Sequence, residues 1–460
     1  MVVKNYISES KMITKLFLPL FMSQVTYAIS TFIAALMVAH LGKNSLAAMA
    51  LVSSVYALLC AFSYGVLVSI NILVSRSYGA KNHLLTKSIV CNGMFLSILC
   101  SIPFIASMWF LPSLFILTGQ NGAVIEMAIP YLHSLSFSVL PWLLLVVFEQ
   151  FLIGLSLTRL IFWISVIQVP FEILANYILI FGKFGLPRFG IAGIGYGFTL
   201  MFVISFFVIF LYMIKSKHTR LYKLHSIKLE LFKWSQVKEL FTVGLPVGLS
   251  NAIEYLLFPV IVLMIGKFGT DALAAHQITR QFFDIAITIA LALTQATTAR
   301  VGMAAGAGDL NAIKLSAYSS ILVGFAFMLI VSVLYITHPE FLMSIDINVN
   351  VRNNIGVVEY TRQLLFIVAF FQIFDCIRLV VMGSLRGLKD TKTPLYLTVL
   401  SYWIVGFPAA YLFAFHFHLG VVGIWYGLLA GIIIGAIILV FRLKSAMTNE
   451  TITKIAENAA

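Results

Sequence analysis

The chain has 460 residues, of which 61% are hydrophobic and only 10% charged, with a formal net charge of +13. A water-soluble domain carries roughly 25% charged residues, so this chain lacks the polar atoms to cover a water-facing surface, which excludes a soluble enzyme. A nucleic-acid partner is excluded with it, because the positive charge has no soluble basic face to occupy.

In chain order, apolar runs of the length that marks a spanning helix, about 18 residues or more, centre on 16–40, 46–74, 88–112, 123–147, 161–182, 190–214, 239–266, 272–298, 315–337, 356–383, 394–416 and 420–441. The pattern predicts an all-α integral membrane protein of twelve transmembrane helices. Alternating ten-residue strands, the mark of a barrel, are absent. Lys4, Lys11 and Lys15 lead into the first span with no small-residue cleavage pattern, so no cleavable signal is expected. Cys60, Cys91, Cys100 and Cys376 fall inside apolar runs and read as packing residues.

Basic residues orient the spans. With both termini in the cytoplasm, 22 of the 30 Lys and Arg fall in cytoplasmic segments and 5 in outside loops, leaving Arg280, Arg362 and Arg378 within helices. This agrees with the bias of Lys and Arg toward the cytoplasmic side and predicts a multi-pass protein of the cytoplasmic (inner) membrane. Seven cations, Lys223 and Lys228 among them, crowd a connector at 215–238, where an anionic leaflet would attract them. The connector divides the chain into an N-terminal six-helix lobe, 1–214, and a C-terminal six-helix lobe with a short tail, 239–460.

The two halves match. Pro19 aligns with Pro246, Gly42 with Gly269, Leu46-Ala47-Ala48 with Leu273-Ala274-Ala275, and Gly79-Ala80 with Gly306-Ala307, each pair 227 residues apart. The offset then drifts: Gly154-Leu155 matches Gly387-Leu388, and the glycines from Gly190 to Gly197 match those from Gly420 to Gly427. A repeat of six spans starts and ends on the same side, so the halves are parallel, and such pairs commonly enclose a substrate site. No GxxxxGK[ST] loop is present and the connectors are too short for a nucleotide-binding domain, so transport would have to draw on an ion gradient. Coupling then needs ionisable groups inside the membrane, where a carboxylate costs roughly 2.5–3.5 kcal/mol.

Those carboxylates concentrate in the second half. Glu254 lies midway along the seventh span, between Pro246 and Pro259, with no basic residue within a turn; a cation or proton is its expected partner. Asp375 lies in the tenth span three residues before Arg378, so a coupling role and an internal salt bridge are both open. Asp284 follows Arg280 by four residues, and the same two readings apply to it. In the first half Glu172 shares a helix face with Asn176 and suggests a polar or proton-binding patch, whereas Glu149, near a span end, is expected to be solvated. His276, near a helix start, reads as structural. The 39 Phe and 16 Met would suit flat lipophilic cations, with Phe371, Gln277 and Tyr255 as candidate cavity residues.

Several strings resemble one family: Ala274-Ala275-His276-Gln277, Arg300-Val301-Gly302, and above all Gly383-Ser384-Leu385-Arg386-Gly387-Leu388-Lys389-Asp390-Thr391-Lys392. Gln150-Phe151-Leu152-Ile153-Gly154-Leu155 and Asn176-Tyr177 with Phe181-Gly182-Lys183-Phe184-Gly185 join them. The chain resembles the multidrug and toxic compound extrusion (MATE) transporters, NorM-type branch, over about 14–442. The resemblance implies a secondary antiporter that exports small-molecule cationic drugs in exchange for Na⁺ or H⁺, with no other cofactor. It places a C-lobe cation site at Glu254 and Asp375. Family members carry a tyrosine one turn before that aspartate, where this chain has Phe371, and many carry an acid in the first span, where this chain has Ala34. The ion site is therefore expected in the C-terminal lobe. A flippase for lipid-linked sugars is the alternative; it would need basic groups in the cavity. Nothing calls for an obligate oligomer, and a monomer in the lipid bilayer is expected.

Overall fold

The computed structural model describes residues 2–222 and 231–448. Lys223, Lys228 and Lys454, three of the cations counted as cytoplasmic, lie outside the described residues. Among the described residues there are twelve long helices: α1 (Val2–Ala39), α2 (Lys43–Gly79), α3 (His83–Leu117), α4 (Gly122–Gly154), α5 (Thr158–Phe181), α6 (Ala192–Lys215), α7 (Trp234–Ile265), α8 (Thr270–Gly306), α9 (Leu310–Thr337), α10 (Ile355–Gly387), α11 (Lys392–His416) and α12 (Gly420–Ala446). All twelve are long and apolar enough to cross a membrane. Most run past the apolar stretches read from the sequence: α1 begins at Val2 rather than 16, and α2 ends at Gly79 rather than 74. Hydropathy marks only the greasy part of a helix, whereas the backbone stays helical until a cap or a left-handed residue stops it.

Those stops repeat between the halves. The entries to α2 and α8 are Gly42 (φ +111°) and Gly269 (φ +97°). The turns after those helices place Lys81 (φ +58°) and Gly308 (φ +70°) in the left-handed region, followed by side-chain caps. Asn82 accepts from the Leu85 amide at 3.0 Å and Asp309 from the Ala312 amide at 2.9 Å. Ser156 (φ +62°) and Lys389 (φ +69°) are left-handed in the turns after α4 and α10. The internal repeat is thus a repeat of turn geometry as well as of residue type.

The chain forms two compact units: Met22–Gly248, and Met1–Phe21 together with Leu249–Ala460. The cuts fall inside α1 and α7 and are 227 residues apart, the offset of the repeat. The start of α1 therefore packs in the C-terminal unit. There the buried Glu9 carboxylate accepts from Arg300 Nη2 at 2.8 Å and from the Ser316 hydroxyl at 2.7 Å, and Phe17 meets Phe327 edge-on at 5.1 Å. Reciprocally, Val243 and Val247 of α7 pack with Val68 and Ile72 in the N-terminal unit, where a side chain at Gly244 would strike the Val66 carbonyl.

In the C-terminal unit α10 packs against α8, α9 and α12. On α12 the glycines at 423, 427, 431 and 435 form one stripe, four residues apart, and α11 lies directly on it. Without lipid-excluding force between helices, small residues that let backbones touch supply the packing. A Cβ at Gly427 would overlap Ala410, and one at Gly431 or Gly435 would overlap Ser401. Opposite this stripe α11 widens into π-helical turns at Leu400–Gly406 and Leu412–His416; such turns gather at functional sites.

Gly431→Val should lower the thermal midpoint of the detergent-solubilised protein, overpacking costing about 1–3 kcal/mol. Gly266→Ala, which meets no atom within 4 Å, should leave it unchanged. Glu9→Ala should cost about 1–3 kcal/mol by stranding the hydrogen-bonding groups of Arg300 and Ser316, read as a shift in the same melt.

Candidate functional site

A buried charge cluster joins α7, α10 and α11. Arg378, on α10, donates from Nη1 to Glu254 Oε1 at 2.7 Å and from Nε to Asp375 Oδ1 at 2.8 Å. Its Nη2 donates to the Tyr402 hydroxyl at 3.2 Å, and that hydroxyl is 3.5 Å from Asp375 Oδ1. The guanidinium is 0% exposed, the Asp375 side chain 2% and the Glu254 side chain 14%. With every group in its ordinary ionic form, two carboxylates and one guanidinium leave one net negative charge.

No basic residue within a turn of α7 neutralises Glu254. Its partner lies 124 positions along the chain and reaches it only when α7 and α10 pack, which helical spacing along α7 cannot reveal. The pairing of Asp375 with Arg378 was legible from their three-residue spacing. Tyr402 was missed. Its phenol stands against Asp375 from α11, whereas the position one turn before the aspartate is Phe371.

Other predicted residues lie elsewhere. Asp284 pairs with Arg280 at 2.6 Å and its side chain is half-exposed, while Arg280 lies over the Phe258 ring at 3.4 Å. The pair is a partly exposed feature of α8. Phe371 lies in the core: it is 1% exposed and packs edge-on against Phe283 at 5.3 Å and Trp425 at 5.8 Å. Gln277 and Tyr255 are exposed. His276 is buried beside Trp425, with ring centroids 5.6 Å apart, in keeping with a packing role.

The N-terminal unit holds a second, differently built polar cluster. Glu172 of α5 is buried, accepts from the Ser30 hydroxyl of α1 and accepts from Gln168 Nε2 at 3.2 Å. Gln168 Oε1 in turn accepts from Ser205 of α6 at 2.7 Å and from Tyr27 of α1 at 3.3 Å. Among the described residues no cation joins this network. Asn176, one turn beyond Glu172, is 1% exposed, and neither of its amide atoms has a hydrogen-bond partner. Glu149, expected to be solvated, is half-buried. Between α5 and α6 runs an apolar groove of about 590 Å³, lined by residues such as Phe171, Leu200 and Val208, with Gln168 and Ser205 also in its wall.

Twelve apolar helices in two repeated halves, each with carboxylates buried among hydrogen-bond donors, define the class: a polytopic helical membrane protein of the kind that transports solutes. The MatE family model matches residues 19–178 and 246–412, two stretches that begin 227 apart like the repeat itself, and the chain belongs to this family. It is 30% identical over 433 residues to the probable multidrug resistance protein NorM of Brucella suis, covering 94% of this chain and 92% of that protein. To the NorM of Pseudomonas aeruginosa it is 31% identical over 442 residues, covering 95% and 90%. In fold it is similar to the crystal structure of the eukaryotic MATE transporter AtDTX14, with a TM-score of 0.85 at 20% identity and coverage of 99% and 100%. It is also similar to an outward-facing multidrug resistance MATE family transporter of the MOP superfamily, with a TM-score of 0.85 at 19% identity and coverage of 97% of each chain.

Removing Arg378 should expose the cost of the cluster. Arg378→Ala leaves two buried carboxylates facing one another and should destabilise the protein by about 3–5 kcal/mol. Adding Glu254→Gln to it should restore part of that loss in the same thermal melt.

Proposed function

We infer that the protein is a secondary multidrug efflux transporter that exports organic, mostly cationic and lipophilic, compounds in exchange for an inward-moving cation, by alternating access. One observation carries this: a buried cluster with one uncompensated negative charge, Glu254, Asp375 and Arg378, in a chain with no nucleotide-binding loop. A buried negative charge in the membrane is stabilised by whichever cation enters. If a coupling cation and a cationic drug compete for that stabilisation, each promotes release of the other, which is the requirement for exchange. The multidrug resistance names of the NorM relatives support the substrate class.

Glu172 and Asn176 are assigned the N-terminal polar site, where a buried carboxylate with an unpaired amide one turn away is suited to a proton or a polar substrate group. Both termini are placed in the cytoplasm of an inner-membrane monomer, in keeping with the distribution of basic residues. A flippase for lipid-linked sugars would need free basic groups to hold pyrophosphate. Instead Arg280, Arg362 and Arg378 each have a carboxylate partner, at 2.6, 2.7 and 2.7 Å.

Glu254→Gln and Asp375→Asn should each abolish ethidium efflux from cells while membrane expression stays at the wild-type level. Wild-type efflux by both variants, measured by fluorescence loss from preloaded cells, would remove the cluster from the transport cycle.

A further inference from the structure

One face of α3 joins a cation to exposed apolar surface. Lys87, Cys91, Phe95, Ile98 and Ile102 recur at helical spacing and so share that face. Lys87 stands just before the apolar run at 88–112, and Ile98 and Ile102 are exposed within it. Ile102 lies about 10 Å farther along the helix axis than Phe95. The end of the basic connector meets this face at Phe95: Phe232 packs edge-on against the ring at 4.7 Å and Trp234 at 6.3 Å. Lys233 lies between those two aromatics in the chain, and all three are exposed.

The segment that carries them is pinned. Ser88 donates to the Leu231 carbonyl at 3.1 Å, Asn92 Nδ2 donates to the same carbonyl at 3.0 Å, and the Lys233 amide donates to Asn92 Oδ1 at 3.0 Å. Asn92 is wholly buried. The fold has therefore already ordered 231–234, and a ligand that meets this segment does not bear that entropy. Glu239, the described acid nearest to Lys233 in the chain, acts on Arg76 of α2. To touch Lys233 and Ile102 together, a molecule must be anionic at one end and a hydrocarbon chain at the other. A soluble partner cannot follow α3 into its apolar run, and a lipid without net charge gains little from the two lysines.

We propose that this face of α3 binds one anionic glycerophospholipid: Lys87 and Lys233 hold its phosphate, Phe95, Phe232 and Trp234 enclose the glycerol end of an acyl chain, and the chain runs on over Ile98 and Ile102. Every one of these residues belongs to the Met22–Gly248 unit. The site goes beyond the antiport reading and is independent of it.

The test places the full-length protein in phosphatidylcholine vesicles with part of the lipid replaced by one brominated on its acyl chains, since bromine quenches an indole it touches. Brominated phosphatidylglycerol should quench the tryptophan fluorescence of the wild type more than brominated phosphatidylcholine does at the same mole fraction. That excess should vanish in Trp234→Phe, which keeps every other tryptophan. Lys87→Gln and Lys233→Gln should each weaken phosphatidylglycerol binding about fivefold. Lys314→Gln and Lys444→Gln, equal losses of charge in the other unit, should leave it unchanged. Equal quenching by the two lipids in the wild type, or an excess that survives Trp234→Phe, would overturn the site. So would an equal loss in all four lysine variants, which would mean only the general attraction of a chain of net charge +13 for anionic lipid. The wild-type comparison of the two lipids decides even where a variant fails to fold, and no readout depends on transport.

Discussion

The interior of the C-terminal unit depends on one guanidinium shared by two carboxylates. Arg378 is wholly buried, and its fork binds groups on α7, α10 and α11 together. A buried pair costs desolvation that its mutual attraction only partly offsets. Such a cluster is therefore poor evidence of selection for stability and better evidence of a working charge. The geometry follows from the helices that carry it. Asp375 and Arg378 share a face of α10 through their three-residue spacing, and Tyr402 sits in the first π-helical turn of α11. The stripe of glycines on α12 lets α11 approach until its backbone touches, which holds the widened turn against α12 beside Gly431.

The two halves share a scaffold and differ in chemistry. Residues whose backbone geometry is demanding repeat: left-handed turns at Lys81 and Gly308, caps at Asn82 and Asp309, and left-handed turns at Ser156 and Lys389. Interior polar positions diverge, because a packed helix tolerates whatever its neighbours satisfy. Tyr27 stands where Glu254 does and bonds Gln168 instead of an arginine. The N-terminal unit thus solves its buried carboxylate, Glu172, with neutral donors. The C-terminal unit uses a cation. The exchange of the first stretches of α1 and α7 between the units keeps the same period of 227, so the scaffold's symmetry includes which unit each helix end joins.

The number of helices and their rough positions were legible because hydropathy and helix length are local properties. The internal repeat was legible for a similar reason, since glycine and proline announce backbone constraints on their own. What could not be read was anything that depends on which helices meet. Glu254 looks unpaired along α7, yet Arg378 lies against it. Phe371 looks like a cavity residue beside Asp375, yet it faces Phe283 and Trp425 in the core. The compact units likewise depend on packing. A basic connector marks where the repeat joins in sequence, whereas packing decides that the first 21 residues belong with the second half.

The string that most identifies the family, 383–392, does little of the chemistry. Gly383 lets α10 lie on Thr294 of α8, and Gly387 does the same at Thr298 and Gly302. Asp390 accepts from the Thr393 amide at 3.2 Å, capping the start of α11, and holds Arg442 of α12 at 2.8 Å. Its residues fix how α10 turns into α11, and that turn sets the relative positions of Asp375 and Tyr402. A motif of this kind is specific because close approach and capping leave few residue types to choose from. Arg378 of the charge cluster lies five residues before this string on the same helix, and its partners come from α7, α10 and α11. The most recognisable stretch of the chain therefore reports the architecture, and the coupling chemistry has to be read from which side chains meet inside it.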